Sequence, residues 1–244
     1  MELSFGFYKT VKKLTYVSFL YIRFPLGFQR LYRTVSPARG ERLRNARKCG
    51  TIEYRKYRSR GDCTMTYSSA EMEMRAVLNA AAQICAAART APKARGIDVI
   101  RTIVLTDQHK AALTAEMRRV GAEYDASFLL RDADNIDAAQ AVILIGAVEG
   151  KRGLNDLCGY CHFANCADCE QKGGMCAMDG VDVGIALGSA AAMAADLRMD
   201  NRILFSAGRA AINLKLLGDG VGQVFALPLS VSGKSVFFDR KPKK

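Results

Sequence analysis

Five cysteines, Cys158, Cys161, Cys166, Cys169 and Cys176, fall within nineteen residues, spaced C-x2-C-x4-C-x2-C-x6-C. Thiolates this close in sequence serve as ligands to a metal or cluster, or as a dense disulfide knot. The rest of the chain favours ligands. From about Met65 onward it is rich in Ala, Val, Ile and Leu, so it can build a core that needs no covalent staples. No secretory leader is legible, so a reducing, cytoplasmic setting is expected. Structural zinc sites more often use two C-x2-C knuckles about 12–20 residues apart. Here all five clustered thiols sit in one loop, GLNDLCGYCHFANCADCEQKGGMCAMDG, and the C-x4-C spacing points to iron and sulfide. The chemistry expected is single-electron transfer through a cluster, most simply [4Fe–4S]. A zinc-stapled binding module without redox chemistry is the rival.

Four iron ligands must be chosen from five cysteines, and spacing leaves two assignments open. Cys158, Cys161, Cys166 and Cys176 give C-x2-C-x4-C-x9-C. Alternatively, Cys161, Cys166 and Cys169 reproduce the plant-type C-x4-C-x2-C run, which suits two irons. Gly153, Gly159, Gly173 and Gly174 let the backbone wrap tightly and turn N–H groups toward sulfides. His162 lies inside the loop and reads as a polar loop residue. His109 reads as solvent-exposed, and Cys85 as a small buried hydrophobe on an Ala-rich helix. No nucleophile–base pair stands out. The glycine patterns of dinucleotide and P-loop sites are absent, which argues against nucleotide hydrolysis.

The elements that must hold this loop alternate. Periodicity predicts helices over Ala70 to Arg89, Gln108 to Glu123, Asp182 to Leu197 and Arg209 to Leu217. Strands are predicted over Val99 to Leu105, Ala141 to Val148 and Val224 to Leu229, followed by an extended tail from Ser232 to Arg240. The near-continuous apolar run Ala141 to Val148 reads as a strand buried on both faces. This alternation indicates an α/β or α+β sandwich. Gly184-x3-Gly188 and the alanines after it leave room for another backbone to approach closely.

Charge separates the chain into two parts. Residues 1–64 carry 15 Lys+Arg against 4 Asp+Glu, while residues 65–244 carry 21 against 20. The net +12 therefore belongs almost wholly to the first quarter, and the neutral body offers no field to steer nucleic acid. The first 64 residues also hold 11 of the 20 aromatics and only two alanines. They read as a basic extension, disordered or not native, before a single domain over 65–244 that contains the loop 153–180. Ser68 and Ser69 can cap a helix whose first turn carries Glu71 and Glu73, so the functional protein is expected to start near Met65. No run of 18 or more apolar residues exists; the best candidate, Leu14 to Phe28, is interrupted by Arg23 and Pro25.

Several strings carry a resemblance. AARTAPKARGID (Ala87 to Asp98), FLLRDADNIDAAQAVILIG (Phe128 to Gly146), the GLN and CGYCHFANC strings, DVGIALGSA (Asp182 to Ala190), DNRILFSAGRAA (Asp200 to Ala211) and LPLSVSGKSVFFDR (Leu227 to Arg240) resemble a bacterial and archaeal family of uncharacterised proteins containing a ferredoxin domain. The resemblance implies ligation by Cys158, Cys161, Cys166 and Cys176. It leaves Cys169 as a fifth thiol and alternative ligand. More distantly, the order of AARTAPKARG, IVLTD, DVGIALGSAAAMAA and the last strand is similar to the flavin-dependent nitroreductases. That likeness implies a mixed sheet flanked by helices with the cysteine loop inserted, a homodimer, and FMN as a second cofactor of an oxidoreductase. A flavin phosphate needs cations, and Lys93, Arg95, Lys234 and Arg240 are those available. The redox partner is not legible.

Overall fold

The computed structural model describes residues 66–238. The basic extension over 1–64 with Cys49 and Cys63, the start at Met65, and Arg240 lie outside the described residues. Within them the chain runs α1 (Ser69–Thr90), β1 (Ile100–Leu105), α2 (Asp107–Glu123), α3 (Ser127–Ala138), β2 (Ala141–Val148), α4 (Cys166–Gln171), α5 (Ala177–Asp196), β3 (Asp200–Asn201), α6 (Ser206–Asn213) and β4 (Val221–Ser230). Short 3-10 turns sit at Ala94–Gly96 and Asn155–Leu157.

The expected α+β sandwich is present. Alternation along β2 sends Ile143 and Ile145 to one face, where they pack with Val77 and Ile84 of α1 and Val183 and Leu187 of α5. Val142 and Leu144 face the other way, onto Leu113 and Met117 of α2, Ile136 of α3 and Ala207 of α6. β2 is therefore covered on both sides, which is why its apolar run is unbroken. Each such side chain contributes roughly 1.5–3 kcal/mol by leaving water.

The strand order is β1-β2-β4-β3. Where a mixed sheet is expected, every described ladder is antiparallel. The connections explain this. After β1 the chain runs out along α2 and back along α3, which packs against it. It re-enters the sheet at the end it left, so Leu105 pairs with Val142. A single crossover helix would have delivered the next strand parallel. Similarly, α5 carries the chain from the exit of β2 to its entry, and β3 and α6 bring it back before β4. Gly208 lets α6 lie directly on β4, since a Cβ there would collide with the Val224 carbonyl.

Element boundaries follow local chemistry. Ser68 and Glu71 form a reciprocal capping box at the start of α1, as the sequence suggests. α5 starts five residues before the expected Asp182, directly after Cys176. The helices α3 and α4 are additions to the predicted set. α5 is long and apolar enough to cross a membrane by length and composition, yet Val183, Ala186, Leu187, Ala190 and Ala194 all sit in the core.

Candidate metal centre

The ladder between β2 and β4 carries a bulge at Ala147/Val148. Just beyond it the chain leaves the sheet into the cysteine segment, residues 149–176. Gly153, Gly159 and Gly173 take φ of +64°, +61° and +64°, turns that glycine makes without strain. Gly174 is needed for another reason: a Cβ there would collide with the Phe163 ring and lie 3.0 Å from Cys169 Sγ. Asn165 caps α4 by accepting from the Asp168 N–H at 2.9 Å.

Four cysteines line one enclosed cavity: Cys158, Cys161, Cys166 and Cys176, together with Asn155, Phe163 and Arg152. These are the four in the C-x2-C-x4-C-x9-C assignment. Three are half-buried and Cys176 is buried. Cys176 is the N-cap of the 20-residue α5. Cys169 is not on the cavity wall, although its thiol interacts with those of Cys161 and Cys176. It is 1% exposed. Its Sγ lies 3.7 Å from the Met175 carbonyl, to which it donates. Burial pushes the Cys169 thiol up, and its hydrogen bond with Cys161 pushes the same way against the charge of Lys151. His162 is exposed and absent from the wall.

The free space inside is about 20 Å³, room for one water. Among the described residues, no three His, Cys, Asp or Glu side chains converge on a single ion. A four-iron cluster does not ask for that convergence, because each thiolate takes its own iron.

The loop is tied to the body through a buried ionic group that sequence reasoning missed. Arg152 is 1% exposed and pairs with Asp179 and Asp182 of α5, each at 2.8 Å. Asp182 also accepts from the Ala94 N–H at 2.9 Å, and Arg95 donates to the Arg152 carbonyl at 2.6 Å. Lys151 donates to the Gly174 carbonyl at 2.6 Å. Burial works against the charge on Arg152, but the Asp182 hydrogen bond and the Asp179 charge outweigh it and hold its pKa above the ordinary value. Burial pushes the Asp179 carboxyl up, opposed by the Gly150 N–H and Arg152. Two carboxylates one helical turn apart on an otherwise apolar helix were the available signal.

The cations expected around a flavin phosphate are dispersed. Lys93 donates to the carbonyls of Arg89 and Ala91, closing the end of α1. Arg95 braces the loop as described. Lys234 lines a separate cleft with Arg198, Asp200 and Ser235. A larger apolar cleft of about 510 Å³ lies beside the cysteine segment, walled by Gly180, Gly184 and Leu187 of α5, Phe205, Arg209 of α6 and Phe225 of β4. Its Gln223 donates to the Met175 sulfur at 2.8 Å, joining cleft and loop.

An uncharacterized protein from Archaeoglobus fulgidus is 38% identical over 165 residues, which cover 64% of this chain and 88% of that one. The family described as uncharacterized protein containing a ferredoxin domain matches residues 172–240. The chain belongs to this ferredoxin-domain family. The family match begins at the end of α4 and takes in Cys176, α5 and β4. Among solved structures, a nitroreductase with bound FMN from Desulfitobacterium hafniense is similar at a TM-score of 0.46 and 18% identity, covering 64% of this chain and 78% of that one. The nitroreductase CinD from Lactococcus lactis, in complex with nicotinic acid, is similar at 0.45 and 16%, covering 64% and 79%.

Proposed function

We propose that this is a [4Fe–4S] electron-transfer protein whose ligands are Cys158, Cys161, Cys166 and Cys176. The observation that carries the reading is the cavity: four of the five loop thiols line it, and the fifth is buried outside it. The family's description as ferredoxin-domain proteins supports the same chemistry. A cluster bound there supplies a reversible one-electron couple. The chain's own work is to present four thiolates, to keep bulk water away with Phe163 and the start of α5, and to hold the loop still through Arg152, Asp179 and Asp182. Rigid anchoring keeps reorganisation small when the charge on the cluster changes.

A second reading is favoured by the 510 Å³ cleft, whose size and apolar walls suit a cofactor-sized ring. In that reading FMN exchanges electrons with the cluster, and Arg209 is the cation at hand. A homodimer is also part of the proposal. The outer stripe of α5, with Val181 and Ile185 exposed and open space at Gly184 and Gly188, would let a second copy approach. We place the protein in the cytoplasm, where thiols stay reduced, with a redox partner of undefined identity.

The test is anaerobic purification of the full chain, with iron, zinc, sulfide and flavin measured on one sample. About four iron and four sulfide per chain, with a visible band bleached by dithionite, is the expected result. Released flavin would add the second reading. A colourless protein holding about one zinc, even after reconstitution with iron and sulfide, would recast the loop as a structural staple.

A further inference from the structure

The guanidinium of Arg152 has an incomplete set of partners. Nη1 donates to the Gly150 carbonyl at 2.8 Å. Nη2 donates to Asp182 at 2.8 Å and lies 2.8 Å from Asp179. Nε is buried and has no hydrogen-bond partner among the described residues. An ionised donor left unsatisfied at 1% exposure is costly, so a fold that retains it implies an acceptor supplied from elsewhere. Arg152 lines the same cavity as Cys158, Cys161, Cys166 and Cys176. The acceptor that belongs in that cavity is sulfur carrying negative charge.

We infer that the Arg152 Nε–H donates a hydrogen bond to a thiolate or sulfide of the bound cluster and sets its reduction potential. This rests on the cluster reading above and adds a named residue to it. Arg152 supplies no ligand to iron; it is a positioning residue that acts through the cluster. The two remaining faces of the guanidinium are occupied by Gly150, Asp179 and Asp182, which fixes its plane. A hydrogen bond to sulfur and a nearby positive charge both favour the more negative, reduced cluster. Loss of the donor should therefore lower the potential without removing a ligand. Cys169 is a poorer candidate for this role, because its thiol is already committed to the Met175 carbonyl and Cys161.

The experiment uses the full chain with its cluster, labelled with nitrogen-15 at arginine Nε and reduced by one electron. Pulsed electron–nuclear resonance should show a nitrogen-15 coupling to the cluster spin. It should vanish in Arg152→Lys, which keeps the charge but lacks Nε. In the same variant the four irons should remain, and the reduction equilibrium should become at least tenfold less favourable, 59 mV for one electron. Should that variant fail to fold, the pair Arg152→Gln with Asp182→Asn removes one charge of each sign and leaves the net charge of the buried group unchanged. It should give the same loss of coupling and the same shift. A wild-type cluster without arginine coupling, or a loaded variant at the wild-type potential, overturns the inference and leaves the cluster reading intact. A wild-type chain that binds no iron or sulfide overturns both.

Discussion

The sheet and the cysteine loop are held by opposite means. The sheet is a slab of Val, Ile, Leu and Ala, sealed by helices on both faces, and its stability is spread over some thirty side chains in two clusters. The loop contributes Cys169 and Cys176 to the buried apolar set. It depends on left-handed turns, backbone hydrogen bonds and one buried group of Arg152, Asp179 and Asp182. Burial is divisible, so a sheet survives small losses. An ionic anchor is concentrated, and breaking one partner leaves a buried charge uncompensated. The thiols are thus held by a few strong ties, where the sheet is held by continuous packing.

Five changes test this division. The largest effect is expected at the ligands. Cys176→Ala should leave iron near background after anaerobic reconstitution while far-ultraviolet dichroism stays unchanged. Cys169→Ala should keep about four irons. Equal loss in both would make Cys169 a ligand.

Next comes the anchor. Asp182→Ala removes a partner of Arg152 and the acceptor of the Ala94 N–H, and should cost about 3–5 kcal/mol in urea unfolding. Cluster loss should precede unfolding of the sheet, giving two transitions by absorbance and dichroism. Leu144→Ala, in the middle of β2, should cost about 2–5 kcal/mol but lower both signals together, because the slab unfolds as one unit. Coincident transitions in both variants would mean that loop and sheet are a single cooperative unit.

The smallest effect is electrostatic and distant from the loop. The Arg119 hydrogen bond, then that of Asn213, hold the Glu116 carboxyl down from 4.5 to about 2, tying α2 to α6. A depressed carboxyl stabilises the folded state above its unfolded pKa and loses that contribution as pH falls from 4.5 toward 2. In the cluster-free protein, the thermal midpoint of Glu116→Gln should therefore fall less than that of wild type across this window. The difference should be small, since its partner Arg119 is exposed and water screens the pair.

Much of the fold was legible. Ala141 to Val148 was read to the residue, because a strand buried on both faces needs no alternation to be recognised. The Ser68 cap announced α1. By contrast, α3 was missed although Leu129, Ala133 and Ile136 keep helical spacing. Its acidic residues, Asp132, Asp134 and Asp137, dilute the pattern, and Asp132 is buried only because Ser206 and Arg131 satisfy it. The start of α5 was misplaced because Cys176 offers none of the side-chain capping that marks a helix start.

By itself the sequence determined that thiols would cluster, that the apolar strand Ala141 to Val148 would lie inside, and that the body would be neutral. Those properties are local: residue type, spacing and period are sufficient for them. Tertiary structure decided which four cysteines share a cavity and that every ladder runs antiparallel. It also turned Arg95 into a brace and brought Arg152 against carboxylates 27 and 30 residues away in the chain. These depend on contacts between segments distant in sequence, which no local pattern encodes.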